Sequence, residues 1–147
     1  MNGKKIIFAS LLISMAVAAG LTIPSSLSQE GGSASNREDV YAPLRKAPKK
    51  AAGRRNPMEN DPDAVSAGAN LFAQHCAECH GEMAEGGRKA PSLLADPVQQ
   101  ATPGTLFWIL TNGVVRRGMP VWSKLPEPQR WQLVTYIKSL QPGGKNA

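Results

Sequence analysis

The feature that most constrains this chain is the segment Cys76-Ala77-Glu78-Cys79-His80, which holds both cysteines and one of the two histidines. C-x-x-C-H is the sequence to which c-type haem is attached. Two thiols on one helical turn can each form a thioether bond with a haem vinyl group, and the imidazole that follows then lies under the iron. The motif predicts one covalently bound haem c, held by Cys76 and Cys79, with His80 as the proximal iron ligand.

Other uses of a cysteine pair fit the residues less well. A structural zinc site needs four ligands, usually in two pairs, and the chain has no second pair of cysteines. A thioredoxin-like dithiol follows a strand, whereas the pattern before Cys76 is helical. Haem attachment is therefore the favoured interpretation, and a redox dithiol module is the alternative without haem.

The first 57 residues are predicted to be an export segment followed by a linker. Two lysines precede an uncharged run of 18 residues at positions 6–23. This pattern is typical of a cleaved signal peptide over residues 1–28, or of an uncleaved membrane tether through residues 6–23. Residues 29–57 are rich in Gly, Ser, Ala, Pro, Lys and Arg, which predicts a disordered basic linker. Both interpretations place the remaining residues 58–147 in the periplasm, either soluble or anchored to the inner membrane.

Charge is distributed unevenly along the chain. Residues 1–55 carry nine Lys and Arg against three Asp and Glu, whereas residues 56–147 carry eight of each kind. The net charge of +6 therefore lies in the signal and linker. A predicted domain without net positive charge gives no support for binding to nucleic acid. The basic linker contacts anionic lipid or an acidic partner, or it is simply a solvated tail.

Residues 58–147 predict one small all-α domain without strands. Asp61-Pro62 and Thr102-Pro103 are helix-start signals, with an N-cap residue followed by proline. A glycine inside a helix costs about 1 kcal/mol relative to alanine, so Gly68 predicts a close helix–helix crossing. A domain of this size has a marginal core, and we expect the haem to be part of the fold. The predicted helices run over residues 61–81, 102–113 and 126–141.

The second axial iron ligand is predicted to be Met119. Met83 and His75 lie too close along the chain to the attachment motif to reach the other face of the haem. Met119 follows His80 by about 40 residues, in a Gly-Met-Pro loop after a full helix. Ligation by His and Met raises the reduction potential and leaves no iron position for a substrate. The prediction is an electron carrier rather than an enzyme.

These motifs together resemble the class I cytochrome c family in its small, single-haem bacterial form. The resemblance implies the cytochrome c fold, with three core helices around the haem and a crossing of Gly68 and Phe72 against the Tyr136 region. It also implies that the Pro91 carbonyl accepts a hydrogen bond from His80 Nδ1–H, which orients the imidazole. The resemblance covers roughly residues 64–141 and rests on Gly68-x-x-Leu71-Phe72-x-x-x-Cys76-x-x-Cys79-His80, Ala90-Pro91-Ser92-Leu93, Arg117-Gly118-Met119-Pro120-x-Trp122 and Trp131-x-x-Val134-x-Tyr136-Ile137-x-x-Leu140.

A narrower resemblance concerns the partners. The segment from Leu106 to Gly113, with Met119-Pro120-x-Trp122, is similar to cytochromes that accompany quinoprotein dehydrogenases. This implies transfer of one electron from a periplasmic or membrane dehydrogenase, or from a quinol-oxidising complex, to an acceptor such as a terminal oxidase. The alternative is a haem enzyme or gas-binding sensor in which Met119 is labile.

The chain lacks the lysine-rich face of mitochondrial cytochrome c. Five cations of the predicted domain form a local patch, pair with haem propionates or face water. They are Arg88, Lys89, Arg116, Arg117 and Lys124.

Overall fold

The structure is a computed structural model that describes residues 40–140. Within this range the regular elements are helical, and the β-type pairing is one isolated bridge between Val114 and Met119. The predicted all-α class is confirmed. The α-helices are α1 (Lys49–Ala52), α2 (Pro62–His75), α3 (Ala77–His80), α4 (Asp96–Gln99), α5 (Pro103–Asn112) and α6 (Glu127–Ser139), with 3-10 turns at Ala42–Lys46 and Val115–Arg117.

The helices α2 and α5 begin at the predicted caps. The Asp61 carboxylate accepts hydrogen bonds from the backbone N–H groups of Asp63 and Ala64, at 2.9 and 3.3 Å. Thr102 Oγ1 accepts from the backbone N–H of Thr105 at 3.2 Å. Each cap satisfies backbone donors that have no partner inside the helix.

A close crossing joins α2 to α6 at Gly68, as predicted. A Cβ atom at Gly68 would lie 2.1 Å from the carbonyl oxygen of Gln132, so a larger residue cannot fit. One turn further, the rings of Phe72 and Tyr136 lie 5.3 Å apart, and Phe72 is only 1% exposed. The packing that this close approach permits offsets the helix cost of glycine.

The core continues from this crossing to α5. The rings of Phe107 and Trp131 stack with centroids 4.1 Å apart. Leu133 and Val134 on α6 are fully buried. The packed core thus lies between α2, α5 and α6, the three core helices that the sequence predicts.

The predicted linker at residues 29–57 requires a correction. Residues 29–39, like the predicted signal or tether at 1–28, lie outside the described residues. Residues 40–56, which we call the strap, are not disordered: they form the 3-10 turn Ala42–Lys46 and helix α1, and pack on α5 and α6. The folded part therefore includes chain that we assigned to the linker.

Several neutral polar and backbone contacts help to hold the strap, which explains why its composition was misleading. Asn56 is 7% exposed, and its Nδ2 donates to Thr135 Oγ1 at 2.8 Å. Thr102 Oγ1 donates to the Ala52 carbonyl at 2.7 Å. A Cβ atom at Gly104 would lie 2.2 Å from the Ala51 carbonyl oxygen, so α1 and α5 meet backbone to backbone. Such contacts need few large apolar side chains, the feature by which we judged the segment.

Two smaller differences concern the loops. We expected one helix to run through the C-x-x-C-H motif to Gly81. Instead, the helix is interrupted at Cys76, where φ is −123° and ψ is −35°. Helix α4, which no sequence signal had indicated, follows the loop 82–95. Among residues 40–140 no helix has the length and hydrophobicity that a membrane crossing requires.

Candidate haem site

A large cavity of about 1430 Å³ opens between α3, α5 and the loops that follow them. It exceeds the roughly 300–1,000 Å³ of ordinary ligand pockets. The predicted site residues Cys76, Cys79, His80, Pro91 and Met119 all line it, although they come from three separate parts of the chain. Its apolar walls include Leu93, Val98, Leu106, Ile109, Leu110, Trp122 and Ile137.

The two thiols lie at the edge of this cavity. Cys76 is half-buried and Cys79 is exposed, and no disulfide joins them. Burial, with a smaller contribution from Cys79, raises the pKa of Cys76 to about 11. A redox dithiol depends on an accessible thiolate, so this environment does not favour the alternative without haem.

The imidazole of His80 is fixed by one hydrogen bond. Its Nδ1 lies 2.9 Å from the Pro91 carbonyl oxygen. A carbonyl can only accept, so Nδ1 carries the proton and Nε2 is left as the ligating nitrogen. Burial lowers the pKa of His80, while the bond to Pro91 opposes this shift. The neutral ring is the form that binds a metal.

The loop that carries Pro91 is closed by backbone hydrogen bonds. Gly86 N–H donates to the His80 carbonyl at 2.7 Å, and Leu93 N–H donates to the Ala84 carbonyl at 2.9 Å. Gly86 has φ of +79°, and a Cβ atom there would lie 2.3 Å from Ser92 N. Only glycine fits this position. Gly86 thus permits a tight turn that positions Pro91.

Met119 reaches the cavity from a different turn. Its backbone pairs with that of Val114 through bonds of 3.0 and 3.3 Å. Gly113 has φ of +66°, and a Cβ atom there would lie 2.6 Å from the Pro120 carbonyl oxygen. Trp122 N–H donates to the Leu110 carbonyl at 2.9 Å, which ties the end of this segment to α5.

The competing ligand candidates are placed differently. Of the methionines within residues 40–140, Met119 alone lines the cavity. Met83 is 73% exposed, and Met58 packs against the core. His75 lines the cavity near its rim, with its ring 5.3 Å from that of Trp122.

The predicted cationic patch is divided between two environments. Arg88, Lys89 and Arg117 line the cavity, and Lys89 pairs with Glu78 at 2.9 Å. That pair is exposed and contributes little to stability. The other two cations, Arg116 and Lys124, are exposed and do not line the cavity.

These residues fit a haem. The haem macrocycle itself supplies four ligands to the iron. The protein therefore needs to supply only one or two further ligands and a broad apolar cavity that accepts the ring. Within residues 40–140, no three His, Cys, Asp or Glu side chains are grouped so that they could hold a metal ion. His80, Met119 and the two thiols are of the residue types that covalent haem attachment and iron ligation require.

Comparison with known proteins identifies the family. The family model described as cytochrome c oxidase, cbb3-type, subunit III matches residues 63–137, which is 75 of the 147 residues. The chain belongs to this family. It is a class I c-type cytochrome, and its cofactor is covalently attached haem c with its iron. The prediction of an electron-transfer cytochrome is confirmed at the level of the family.

Two curated relatives are similar over part of their length. One is the cbb3-type cytochrome c oxidase subunit FixP of Sinorhizobium medicae, 34% identical over 87 residues, which are 52% of this chain and 30% of the relative. The other is subunit CcoP of Azospirillum sp., 36% identical over 95 residues, 58% of this chain and 31% of the relative. The chain thus spans about 30% of the relatives it matches.

A solved structure supports the fold. The crystal structure of cytochrome CL from the marine methylotrophic bacterium Methylophaga aminisulfidivorans matches with a TM-score of 0.52 and 27% identity. The match covers 58% of this chain and 60% of that chain. The cytochrome c fold predicted from the motifs is therefore confirmed.

Proposed function

We propose that this cytochrome is a single-haem carrier that moves one electron at a time between two redox proteins. The donor is a periplasmic or membrane dehydrogenase, of the quinoprotein type, or a quinol-oxidising complex. The acceptor is a terminal oxidase. The relatives FixP and CcoP, named as oxidase subunits, support the acceptor. The quinoprotein donor rests on the resemblance of the segment around Leu106 and Trp122.

The observation that carries this proposal is that His80 and Met119 line one cavity, although 39 residues separate them. Cys76 and Cys79 would hold the haem by thioether bonds, and His80 and Met119 would supply the two protein ligands of its iron. Pro91 keeps the proton on His80 Nδ1, which makes the imidazole a stronger donor. The bound haem supplies a one-electron iron couple.

Ligation on both sides determines the kind of chemistry. The soft thioether of Met119 favours ferrous iron and raises the reduction potential. The apolar cavity wall around Leu106 and Leu110 excludes water, which also disfavours the charge of the oxidised state. A substrate would have to displace Met119, so this cytochrome transfers electrons and makes no bonds, alone or as a subunit of an oxidoreductase complex.

The location follows from the predicted export segment. Residues 1–28 are a signal peptide or contain a tether at 6–23, and the haem domain works in the periplasm. Detection of the holoprotein in a periplasmic or an inner-membrane fraction tests this location, and a cytoplasmic holoprotein would contradict it.

Absorption spectroscopy tests the ligand set. The ferric protein should show the weak near-infrared band of methionine-ligated iron, and the ferrous protein should not bind carbon monoxide. The alternative, a haem enzyme or gas sensor with a labile Met119, draws on the openness of the 3-10 turn Val115–Arg117, where Val115 is 68% exposed. Carbon monoxide binding by the wild-type protein would favour that alternative.

A further inference from the structure

The strap carries a dense positive charge on its outer side. Between residues 40 and 56 the chain has six cations and no acidic residue, whereas residues 56–147 carry eight of each sign. All six cations are exposed. In the part of the chain that the structure describes, only Arg54 among them is in an ion pair, with Glu127 at 2.5 Å. The six are Arg45, Lys46, Lys49, Lys50, Arg54 and Arg55.

These charges are held on a fixed scaffold. At one end of the strap, Tyr41 O–H donates to the Ser92 carbonyl at 3.0 Å. At the other end, Asn56 is buried against Thr135, and the Arg54 guanidinium carbon lies 4.4 Å from the centroid of the Phe107 ring. Neutral groups and Arg54 thus make the attachments, and the remaining cations are not needed for them. A fixed cluster of like charge attracts an oppositely charged surface more strongly than a mobile tail of the same composition.

The strap also forms one wall of the haem cavity. Val40, Tyr41, Pro43 and Leu44 line the cavity, and Arg45 and Lys46 follow within the same 3-10 turn. A molecule bound to these cations would therefore lie beside the haem.

We propose that the outer face of the strap docks the acidic surface of the protein that exchanges electrons with the haem. This inference rests on the proposed carrier function. A carrier needs rapid, short-lived contacts, and charge complementarity raises the association rate without requiring a large interface. An anionic membrane attracts the same cations. The turn that carries Arg45 and Lys46 also lines the cavity through Pro43 and Leu44, so a redox protein bound to this turn would lie beside the haem.

Two small oxidants of opposite charge test the position of these cations. Ferrous holoprotein gives one electron to hexacyanoferrate(III), forming hexacyanoferrate(II), or to the cationic tris(phenanthroline)cobalt(III), forming its cobalt(II) complex. At ~10 mM ionic strength, where charges act over about 30 Å, the double variant Arg45→Gln/Lys46→Gln should slow the first reaction about three- to tenfold and accelerate the second. The difference in rate between the variant and the wild-type protein should vanish near 1 M salt, where charges are screened.

The matched control removes two exposed cations on the Met119 side, Arg116→Gln/Lys124→Gln. If this variant changes the two rates as much as the strap variant or more, the strap does not dominate the field at the haem and the inference is wrong. A strap variant with wild-type rates at every ionic strength contradicts it equally.

Binding probes distinguish a protein partner from a membrane. Poly-glutamate should bind the full-length wild-type holoprotein at low salt and lose several-fold in affinity with the strap variant, but not with the control. If phosphatidylglycerol vesicles show this dependence and poly-glutamate does not, the strap is a membrane contact and the inference fails. If the protein exchanges electrons with neither oxidant, the carrier function itself fails, whereas exchange that does not depend on the strap refutes only this inference.

Discussion

The two sides of the haem cavity are built differently. On the His80 side, short backbone bonds close the loop to Leu93, and the ring is fixed by Pro91 within 11 residues of chain. On the Met119 side, the isolated bridge to Val114 and one bond from Trp122 hold a turn whose Val115 is 68% exposed. Two further bonds lie within the turn itself, from Arg117 N–H to the Val114 carbonyl at 2.8 Å and from Gly118 N–H to the Val115 carbonyl at 3.0 Å. The imidazole is therefore oriented by the protein alone, whereas the thioether sits on a more open turn. We expect the first side to govern haem retention and the second to govern the reduction potential.

Loss of one attachment thiol should have the largest effect. Cys79→Ser removes one thioether bond on the His80 side, and most of the holoprotein should be lost because this small domain depends on the haem for its core. Haem staining after denaturing electrophoresis and the haem-to-protein absorbance ratio measure the loss. Glu78→Gln is the matched control, since Glu78 lies between the two cysteines with its side chain 86% exposed. Equal haem content in both variants would show that the thiol is not an attachment point.

Removal of the Met119 side chain should change the ligation and the reduction potential of the iron but leave the fold intact. Met119→Ala should retain covalent haem, lower the midpoint potential, and let the ferrous protein bind carbon monoxide. Potentiometric titration and carbon monoxide difference spectra measure these changes, with Met83→Ala as the control because Met83 is 73% exposed. A Met119→Ala protein that keeps the wild-type potential and excludes carbon monoxide would refute the ligand assignment.

Two glycines allow a comparison of the loop before Pro91 with the turn directly before Met119. Gly86→Ala should cost about 3 kcal/mol or more, because the new Cβ would meet Ser92 N at 2.3 Å and φ is positive. Gly118→Ala should cost only ~1–2 kcal/mol, because φ is +86° but nothing lies within 4 Å of the added Cβ. Urea unfolding of the ferric holoproteins, followed by circular dichroism, gives both values. Gly87→Ala is the control, since open space surrounds that position. Equal losses at Gly86 and Gly118 would mean that the turn before Met119 is as constrained at Gly118 as the loop before Pro91 is at Gly86.

The smallest effect is expected where the strap covers the His80 side. Tyr41→Phe removes the O–H that donates to the Ser92 carbonyl and should cost ~0.5–1.5 kcal/mol. Because Ser92 follows Pro91, the midpoint potential should also shift slightly upward as the bond to His80 loosens. Tyr136→Phe is the control on the α2–α6 crossing and should leave the potential unchanged. An upward shift of equal size in both variants would show that Tyr41 has no special relation to His80.

Features that depend on neighbouring residues could be predicted from the sequence, whereas features that depend on distant residues were harder to predict. The attachment motif, the caps at Asp61 and Thr102, and the crossing at Gly68 are properties of a few neighbouring residues, so local rules were sufficient. The position of Met119 in the cavity followed from chain distance and from the exclusion of Met83. The contact of Pro91 with His80 required the resemblance, because no local rule links a carbonyl to a ring 11 residues away.

The strap is a segment whose structure could not be predicted from composition and local sequence patterns. Its composition indicated a linker because large apolar residues are few, yet Asn56 is buried and α1 meets α5 through backbone at Gly104. Backbone approach and single buried amides leave almost no compositional signal. Helix α4 was missed for a similar reason, because a four-residue helix has no periodicity to detect.

The entry point of the chain has a geometric consequence. Val40 lines the haem cavity and is the first described residue, so the segment before it joins the fold at the cavity rim. If residues 6–23 are a membrane tether, the length of the segment between position 23 and Val40 limits how far the haem can travel from that surface. Its length then fixes the effective concentration of the haem at any partner on the same surface. Shortening or lengthening the segment would change encounter frequency while leaving the potential untouched.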